Sequence, residues 1–465
     1  MNEPNGDVRH AWTYHDATKH SPSSIRSTAH YLDWANQPLP FKIYPTLNAI
    51  PLDRETHLAR ILYFSAGITR KKTWPGGEIY FRAASCTGAL YEIELVVVRA
   101  DGVYHFNPGD FSLRLLRSGD YRGVLVNATA NDAAVAHAPV TMVCTGTYWR
   151  NAWKYRTRTY RHFGWDNGTI LANLLAMSES LGLPAKILCG FVDSEVNRLL
   201  DLDTDREVAF SIASIGFEET SAPEPPRNIP KLDLPTVALS AKEVDYPELR
   251  AVQTASCLQS HDEVLRWRSD VPETSGQAPT TGVLSTSPEE VIQRRGSTRQ
   301  FARAPITLDQ LSRTLQYATR SIPTDFDGPL NDIYLIVNAV DGLEPGAYFY
   351  HRNNQSFELL KSGNFRSEAR YLGLEQDLPG DASADVFLLA DLNPIFGRFG
   401  NRGYRAVQLE AGIIGGRLYL GAYAQKFGAT GLTFFDDDVT DFFSPHAKGK
   451  SAIFLVALGK SRKVM

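Results

Sequence analysis

The sequence contains two copies of one unit, and this repeat limits the folds that the chain can adopt. The stretch GALYEIELVVV, from Gly88, recurs as GPLNDIYLIVN, from Gly328. Both copies continue to the pattern LL-basic-SG-polar-aromatic-Arg, and further matched blocks follow in the same order, so the copies span roughly 30–216 and 287–460. Repeats of this length are not solenoid units. We therefore expect both halves to share one fold and to face each other like the subunits of a homodimer.

Each half is predicted to combine strands with long helices. The alternating apolar residues of YEIELVVV and NDIYLIVN predict strands. The segments WKYRTRTYRHFGWDNGTILANLLA and FGRFGNRGYRAVQLEAGIIGGRLYL predict apolar helices, so we expect an α+β fold with helices packed on a sheet. We place domain 1 at 1–216, a linker at 217–286 and domain 2 at 287–465. Within the linker, ELRAVQTASCLQSHDEVLRWR predicts a helix and VPETSGQAPTTGVLSTS a flexible loop.

Composition excludes several classes of function. The formal net charge of −4 is too small for a general attraction to nucleic acid or to an anionic membrane. No apolar run approaches the ~20 residues of a membrane span, and the polar start MNEPNGDVRHAWTYHDATKHS lacks a signal-peptide core. The cysteines lie far apart and form no CxxC pair, which argues against a zinc site and a disulfide framework. We expect a cytoplasmic enzyme without a metal, in which any anion binding is local.

The segment RRGSTRQF, residues 294–301, concentrates cations between two predicted helices. In an extended segment Arg295, Ser297 and Arg299 lie on one side. Two guanidinium groups and a hydroxyl in that arrangement suit a phosphate monoester. Solvated arginines at a helix C-terminus are the alternative reading of the motif alone. Lys460 and Arg462, after the last predicted strand, add a second cationic element.

The two halves differ at these positions in a complementary way. A gapless alignment places FKIYPTLN, residues 41–48, opposite the cationic motif, so that Tyr44 and Thr46 replace the serine and the last arginine. Conversely, RAASCTGALYEIE begins at Arg82 and offers small residues for close approach of a ligand, whereas the second half has Asp325, which would repel an electron-rich ligand. We therefore expect one shared ligand site between the halves and an inactive symmetry-related site.

These motifs resemble those of a known family. RRGSTRQF resembles the Arg-x-Ser-x-Arg flavin-phosphate motif of the FMN-dependent nitroreductase superfamily. RAASCTGALYEIELVVV, TRTYRHFGWDNG and NRGYRAVQLEAG resemble its SagB-type dehydrogenase branch, which includes azoline oxidases of peptide natural-product pathways. The resemblance implies two tandem nitroreductase-like domains that form an intrachain pseudo-dimer, with FMN between them. Ala84 and Glu92 stand where the branch usually has proline, so the shape of the ring pocket is expected to differ.

The resemblance also implies roles for individual residues. Arg295, Ser297 and Arg299 would bind the FMN phosphate and ribityl chain. The other implied cofactor contacts are Lys460 or Arg462 at the phosphate, Arg82, Ser85 and Gly88 along the isoalloxazine, Thr433 near the ring edge, and Gln376 as a further candidate.

Lys154 and Tyr155, in WKYRTRTYR, resemble the Lys-Tyr pair that azoline dehydrogenases use. A tyrosine beside a lysine can have the pKa of its phenol lowered by the cation, which would let it remove a proton from the substrate. A tyrosine packed on the sheet is the alternative interpretation. The matching residues of the second half are Arg398 and Phe399, so the hydroxyl is missing there.

Two further polar segments are predicted to be surface features. His15 and His20, in YHDATKHS, are interpreted as a polar helix start on the surface, because no further metal ligands are evident. FDDDV, near Asp436, is interpreted as a solvated acidic turn.

The predicted function is that of an FMN-dependent oxidoreductase that transfers hydride at the flavin. In its narrower form it is a SagB-type dehydrogenase acting on a modified peptide or a small molecule, with partner proteins from a biosynthetic complex. The alternatives are an NAD(P)H-dependent nitro or quinone reductase and a non-catalytic flavin-binding scaffold subunit. We expect neither nucleic acid nor a membrane as partner, and the internal pseudo-dimer leaves further oligomerisation open.

Overall fold

The computed structural model describes residues 4–27, 31–75, 77–268 and 286–462. The strands of the first half are β1 (Ile50–Pro51), β2 (Ile68–Trp74), β3 (Gly77–Arg82), β4 (Ile93–Arg99), β5 (Gly102–Asn107), β6 (Ser112–Ser118), β7 (Val140–Thr147), β8 (Ala185–Leu188) and β9 (Glu207–Ile215). Strands β2 and β3 pair with each other. The others form one antiparallel sheet in the order β1-β6-β5-β4-β7-β9-β8.

The second half repeats this sheet. Its strands are β10 (Ile306–Thr307), β11 (Asp332–Val337), β12 (Val340–Asp341), β13 (Gly346–His351), β14 (Ser356–Ser362), β15 (Ala384–Ala390), β16 (Gly428–Leu432) and β17 (Ser451–Gly459). Short strands β10 and β12 pair in parallel. The remaining strands form an antiparallel sheet in the order β14-β13-β11-β15-β17-β16. This order matches that of β6 to β8 in the first sheet, strand for strand, which confirms the predicted tandem α+β fold.

Helices cover the sheets and lie between them. Those of the first half are α1 (Arg9–Ala17), α2 (Pro22–Ser27), α3 (His57–Ala66), α4 (Arg122–Ala128), α5 (Ala133–Ala136), α6 (Tyr148–Tyr155), α7 (Thr159–Ser180) and α8 (Asp193–Leu200). Those that follow are α9 (Pro247–Ala255), α10 (His261–Arg268), α11 (Pro288–Arg294), α12 (Leu308–Thr319), α13 (Arg366–Leu372), α14 (Asp377–Asp381), α15 (Leu392–Phe399), α16 (Arg402–Ala424) and α17 (Asp436–Phe443). Helix α12 begins with a reciprocal capping box between Thr307 and Gln310, which fixes its start.

Helices α7 and α16 form the centre of the molecule. Both are buried along nearly their whole length, and their apolar residues belong to one core that extends through both halves. The two helices come closest at Gly168 and Gly412: a Cβ on Gly168 would lie 2.5 Å from the Cα of Gly412. Only glycine allows such an approach at this crossing. Because equivalent residues of the two halves meet here, the pseudo-twofold axis passes through this contact.

Buried ion pairs connect the halves on either side of the axis. Asp436 accepts hydrogen bonds from Arg161 at 2.6 Å and from Arg158 at 3.0 Å. Across the axis, Asp193 pairs with Arg402 at 2.6 Å and with a second arginine of α16. The prediction of a solvated acidic turn at Asp436 is therefore wrong, because two arginines of the other half hold this carboxylate in the interior.

The N-terminal segment is also part of the core. His15 is buried, with Nδ1 at 3.1 Å from the Tyr404 hydroxyl and Nε2 at 3.0 Å from the Ser451 hydroxyl. Burial lowers the pKa of His15 well below its usual value, so the ring is neutral. The prediction of a surface helix start is wrong for this residue, because α1 lies against the second half instead of against solvent.

The segment between the halves runs along the first half. The backbone N–H of Leu39 donates to Leu239, and that of Val237 donates to Ile43. Helices α9 and α10 confirm the predicted helical stretch, which is broken once between them. The predicted flexible loop at 271–287 lies almost entirely outside the described residues, and the domain boundaries stay predictions. Among the described helices, none has the length and apolar character to cross a membrane.

Candidate functional site

The cationic motif begins where α11 ends. Arg295 is only 6% exposed, and its guanidinium donates to the backbone carbonyls of Ala83 and Arg82, both at 2.9 Å. These carbonyls belong to residues 82–88, which we call the wall loop. Arg295 therefore connects the motif in the second half to the wall loop in the first half.

The rest of the motif runs along the edge of the second sheet. The Thr298 N–H donates to Ala429 of β16 at 3.0 Å, and the Ser297 hydroxyl lies 3.2 Å from the hydroxyl of Tyr419. Arg299 is exposed and makes no ion pair with any described residue. It lies close enough to α6 to lower the pKa of Lys154, an effect to which burial contributes more. The structure therefore places two cations near each other, and neither forms an ion pair with a carboxylate in the described ranges.

The second cationic element lies beside the first. After β17, Ser461 forms an antiparallel bridge with Phe301, the Ala302 N–H donates to Lys460, and the Arg462 N–H donates to Gln300, the last two at 2.9 Å. Lys460 and Arg462 are exposed, and in the described part of the chain neither is paired with a carboxylate. The fold thus brings together the two cationic elements that lie far apart in the sequence.

The first-half residues aligned with the motif lie at a different position. Lys42 forms an ion pair with Glu207, the first residue of β9, and its N–H donates to Glu94 at 2.8 Å. The cationic motif instead lies beside the end of β17. The gapless alignment of residues 41–48 with the motif is therefore wrong. The chain takes different courses before α3 and α12, since β1 pairs with β6 whereas β10 pairs with β12.

The wall loop is held by contacts with its own half. Arg82 is buried, donates to the Pro40 carbonyl at 2.6 Å and lies over the ring of Tyr91. The Ser85 carbonyl accepts a hydrogen bond from the Thr169 hydroxyl at 2.6 Å. Gly88 has φ = +64°, and a Cβ there would lie 2.9 Å from the Tyr155 hydroxyl oxygen. Glycine is therefore needed both for the turn and for the approach of Tyr155.

Lys154 and Tyr155 lie at the end of α6, next to the wall loop. The ammonium group of Lys154 lies 5.2 Å from the centre of the Tyr155 ring. Burial raises the pKa of Tyr155 above its usual value, and Asp166, Cys86 and Glu92 raise it further. The prediction of a lowered phenol pKa is therefore wrong, because burial and nearby acidic groups outweigh the cations. At neutral pH the hydroxyl is protonated.

Thr433 and Gln376 differ in their relation to the site. Thr433 follows β16, its hydroxyl is buried, and within the described chain that hydroxyl has no hydrogen-bond partner. The backbone N–H groups of Thr433 and Phe434 likewise find no acceptor among the described residues. The Gln376 side chain donates to Gly373 of its own turn at 2.8 Å. The described contacts of Gln376 do not connect it to the motif or to the wall loop.

Sequence reasoning missed a buried acidic cluster below the wall loop. The Cys86 thiol lies 3.2 Å from an Asp166 oxygen and 3.5 Å from a Glu92 oxygen. The N–H and the hydroxyl of Thr87 donate to Asp166 at 2.9 Å. Cys86 and Asp166 also line a small pocket that reaches Ser85. No sequence signal indicated this cluster, because Asp166 comes from α7, far along the chain.

Asp325 has a different role from the one predicted. It is 1% exposed and accepts hydrogen bonds from the N–H groups of Cys189, at 2.8 Å, and Gly190, at 2.6 Å. Cys189 follows β8 as Thr433 follows β16. The N–H groups of Thr433 and Phe434 have no acceptor among the described residues. Their counterparts on the other side of the axis, at Cys189 and Gly190, bind the carboxyl of Asp325. The sequence analysis predicted that Asp325 would face and repel a ligand. Instead, its carboxyl occupies the symmetry-related position and binds backbone N–H groups there.

The chain matches the model of the nitroreductase family over residues 51–217 and 292–460. The protein therefore belongs to the nitroreductase family, and each half carries one copy of the family's domain. A solved protein from Anabaena variabilis, named as a putative nitroreductase, is 27% identical, with a TM-score of 0.82 over 97% of this chain and 99% of that chain. A protein from Methanocaldococcus jannaschii with the same description is 25% identical over 151 residues, which cover 31% of this chain and 73% of that relative.

Members of this family typically bind a flavin. The groups around the motif fit the phosphate end of such a cofactor. Arg299, Lys460 and Arg462 are cations with no ion-pair partner in the described ranges. The unpartnered hydroxyl and N–H of Thr433 are a donor set of the kind that the polar edge of a flavin ring accepts.

Proposed function

We propose that this protein is an FMN-dependent oxidoreductase with one flavin bound between its two halves. The observation that carries the proposal is the meeting of the cationic motif, residues 460–462 and the wall loop across the interface. Several cations without anionic partners at one place create a local positive potential that attracts an anion. A phosphate monoester is an anion with the charge and the acceptor atoms that such a set requires. The family to which the chain belongs supports a flavin as its carrier.

Different residues of the chain would bind different parts of the cofactor. Arg299, Ser297 and Lys460 would hold the phosphate and the ribityl chain, with Arg462 at the rim. Arg295 would hold the wall loop against the ring instead of contacting the phosphate with its full guanidinium, because two of its nitrogens already bind backbone carbonyls. When bound, the flavin supplies hydride chemistry that side chains lack.

The state of Tyr155 favours one direction of reaction. Its protonated hydroxyl can give a proton to a substrate atom that receives hydride, and the phenolate left behind recovers a proton from solvent. This supports a reductase of nitro or quinone groups that draws its electrons from NAD(P)H. A SagB-type dehydrogenase on a modified peptide would need Tyr155 to lose its proton first, so we rank that narrower function second. A tyrosine hydroxyl at the site argues against a purely structural scaffold.

The proposal is tested by isolating the cofactor and then following its reduction. Denaturing the purified protein should release FMN, identified by mass, and not a larger flavin nucleotide. Under anaerobic conditions NAD(P)H should bleach the flavin absorbance, and a quinone or nitroaromatic compound should restore it. Purified protein that carries no flavin and binds no added FMN would contradict the proposal. Bleaching by a peptide substrate but not by NAD(P)H would establish the dehydrogenase direction instead.

A further inference from the structure

We propose that Glu92 and Asp166 share a single proton at neutral pH, and that the negative charge left on this pair adds to burial in opposing the ionisation of Tyr155. The inference rests on the proposed function only for the use that the enzyme makes of Tyr155. The protonation of the pair is a property of the protein alone.

The geometry places two carboxyl groups in contact in the protein interior. Glu92 is 0% exposed and Asp166 is 5% exposed. The Cys86 sulfur and one oxygen from each carboxyl all lie within 4.8 Å of one another. One oxygen of Glu92, Oε1, is buried and has no hydrogen-bond partner among the described residues.

Several other buried acids of the protein are paired with basic side chains, but among the described residues this pair has no such partner. Glu94, also buried, contacts Arg150 at 2.6 Å and His105 at 2.8 Å. In the described part of the chain, no arginine, lysine or histidine forms an ion pair with Glu92 or Asp166. Two adjacent carboxylates without a cation cannot both stay ionised in the interior, so one proton is retained. Consistent with this, burial and then Glu92 raise the pKa of Asp166 well above its usual range.

Tyr155 lies within the field of this pair. Its hydroxyl is next to Gly88, the residue after Thr87, whose N–H and hydroxyl bind Asp166. The other charged or titratable groups facing Tyr155 or the cluster are Lys154 over the phenol ring, Arg299 from the motif, His162 with its ring centre 4.6 Å away, and Arg82 near Cys86.

The sign of the combined effect follows from these neighbours. Burial lowers the pKa of His162 well below its usual value, so that ring adds no charge. Of the cations, Arg299 lowers the pKa of Tyr155, but less than the acidic groups raise it. The net result is a neutral phenol. Glu92 and Asp166 act through Tyr155 and do not touch the substrate, so they are positioning residues.

Infrared spectroscopy tests the shared proton without flavin or substrate. At pH 7 the wild-type protein should show a protonated-carboxyl stretch that shifts in D₂O. The Glu92→Gln/Asp166→Asn double variant should lose this band, because it contains neither carboxyl. A difference spectrum between wild type and the double variant that shows no protonated-carboxyl band would overturn the proposal.

Titration of Tyr155 tests the second part. The absorbance difference between a protein and its Tyr155→Phe derivative isolates the ionisation of this one phenol. In the wild-type background the tyrosinate signal should be absent up to at least the usual pKa of a tyrosine, ~10. In the Glu92→Gln/Asp166→Asn background it should appear at a pH lower by about one unit or more, because the negative charge is gone. Identical titrations in the two backgrounds would refute the role assigned to the pair.

Asp385 offers a matched control. It is a fully buried carboxyl whose pKa burial raises, but it lies in β15 of the second half. Asp385→Asn should remove its own carboxyl band and leave the Tyr155 titration unchanged; a shifted titration would mean that any buried acid has this effect.

Metal analysis tests the alternative that a bound divalent cation neutralises the cluster. A stoichiometric divalent cation that is lost in Asp166→Asn would show that a metal, and not a proton, neutralises the cluster.

Discussion

Arg299 and Lys154 come from different halves, and the fold places them near each other, with no carboxylate of the described residues paired to either. Lys154 is half-buried, and its pKa is lowered by burial and by Arg299. Neither the burial of Lys154 nor its proximity to Arg299 stabilises the folded protein. Unfavourable arrangements of this kind are typical of groups that bind a ligand. The neighbouring Arg294 differs, because it lies on the other side of the segment and only reaches the Tyr423 carbonyl at 3.4 Å.

Substituting these arginines separates ligand binding from general charge. Arg299→Ala should weaken FMN binding by roughly 10- to 100-fold, since a charge-assisted hydrogen bond contributes ~1.5–3 kcal/mol. Arg295→Ala should also weaken it, because the wall loop loses its contact with the motif. Arg294→Ala is the matched control and should have a smaller effect. Titrating FMN into each apoprotein by fluorescence measures this, and equal losses in all three would contradict the assignment.

Tyr155→Phe removes one hydroxyl and little else. The variant should retain its flavin, because Phe399 occupies the equivalent position of the second half without disturbing the fold. Transfer of electrons to a nitro or quinone acceptor should slow by ~10²–10⁴-fold if the hydroxyl delivers the proton. Stopped-flow reoxidation of the reduced flavin measures the step. A wild-type rate in the variant would make Tyr155 a packing residue.

At the scale of elements, α7 and α16 are held together by close glycine packing and by ion pairs at both sides of the axis. Asp193 and Asp436 each bind two arginines of the opposite half in the interior. Removing one partner of such a buried group leaves charges uncompensated, which costs more than the pair itself contributes. The exposed pair of Asp309 and Arg313 provides a comparison, since both of its side chains face solvent.

The free energy of unfolding should reflect this difference. Asp436→Asn should lower it by ~3–5 kcal/mol, whereas Asp309→Asn on α12 should change it by ~0–1 kcal/mol. Urea denaturation followed by circular dichroism gives both values. Comparable losses for the two variants would show that the interface arginines find other partners.

The contribution of Asp436 should also depend on pH. Burial opposes the charged form of this carboxyl, but Arg158 and Arg161 prevail and hold its pKa below the usual range. The stabilisation is therefore present above the unfolded-state pKa of ~3.9 and is lost as the pH falls below it. The difference in melting temperature between wild type and Asp436→Asn should shrink between about pH 4 and pH 2. A difference that stays constant on acidification would refute this.

For the whole molecule, the two sides of the axis have become unequal. One side has the cationic motif, the wall loop and the amides of Thr433 and Phe434, for which the described residues offer no acceptor. On the other side Asp325 binds the amides of Cys189 and Gly190. A flavin ring edge at that position would meet the Asp325 carboxyl instead of free N–H groups.

The protein should therefore bind one FMN per chain. Quantifying the flavin released from a known amount of polypeptide should give a ratio close to one after saturation with FMN. Asp325→Ala should leave that ratio near one, because the second side still lacks the cations. A ratio near two in the wild type would defeat the argument from asymmetry.

Much of this arrangement was predictable from the sequence, and the rest depended on distant contacts. The repeat predicted both sheets, and RRGSTRQF with Lys460 and Arg462 predicted two cationic elements that the fold brings together. The alignment of residues 41–48 was wrong because no sequence pattern determines the path of the chain before α3. The burial of His15 and the raised pKa of Tyr155 depend on groups contributed by other elements. Such neighbours become known only from the fold.

Gly168 and Gly412 meet across the axis as residues of a single polypeptide, so the chain tethers the two halves of the site to each other. In a dimer of separate subunits, an interfacial site disappears on dilution, whereas a tether keeps its two parts at an effective concentration of ~mM. Occupancy of this site should thus be independent of enzyme concentration. The tether also releases a genetic constraint. A substitution in a homodimer appears on both sides of the axis at once. Here each side can mutate alone, so one ligand site can be optimised while Asp325 occupies the symmetry-related position.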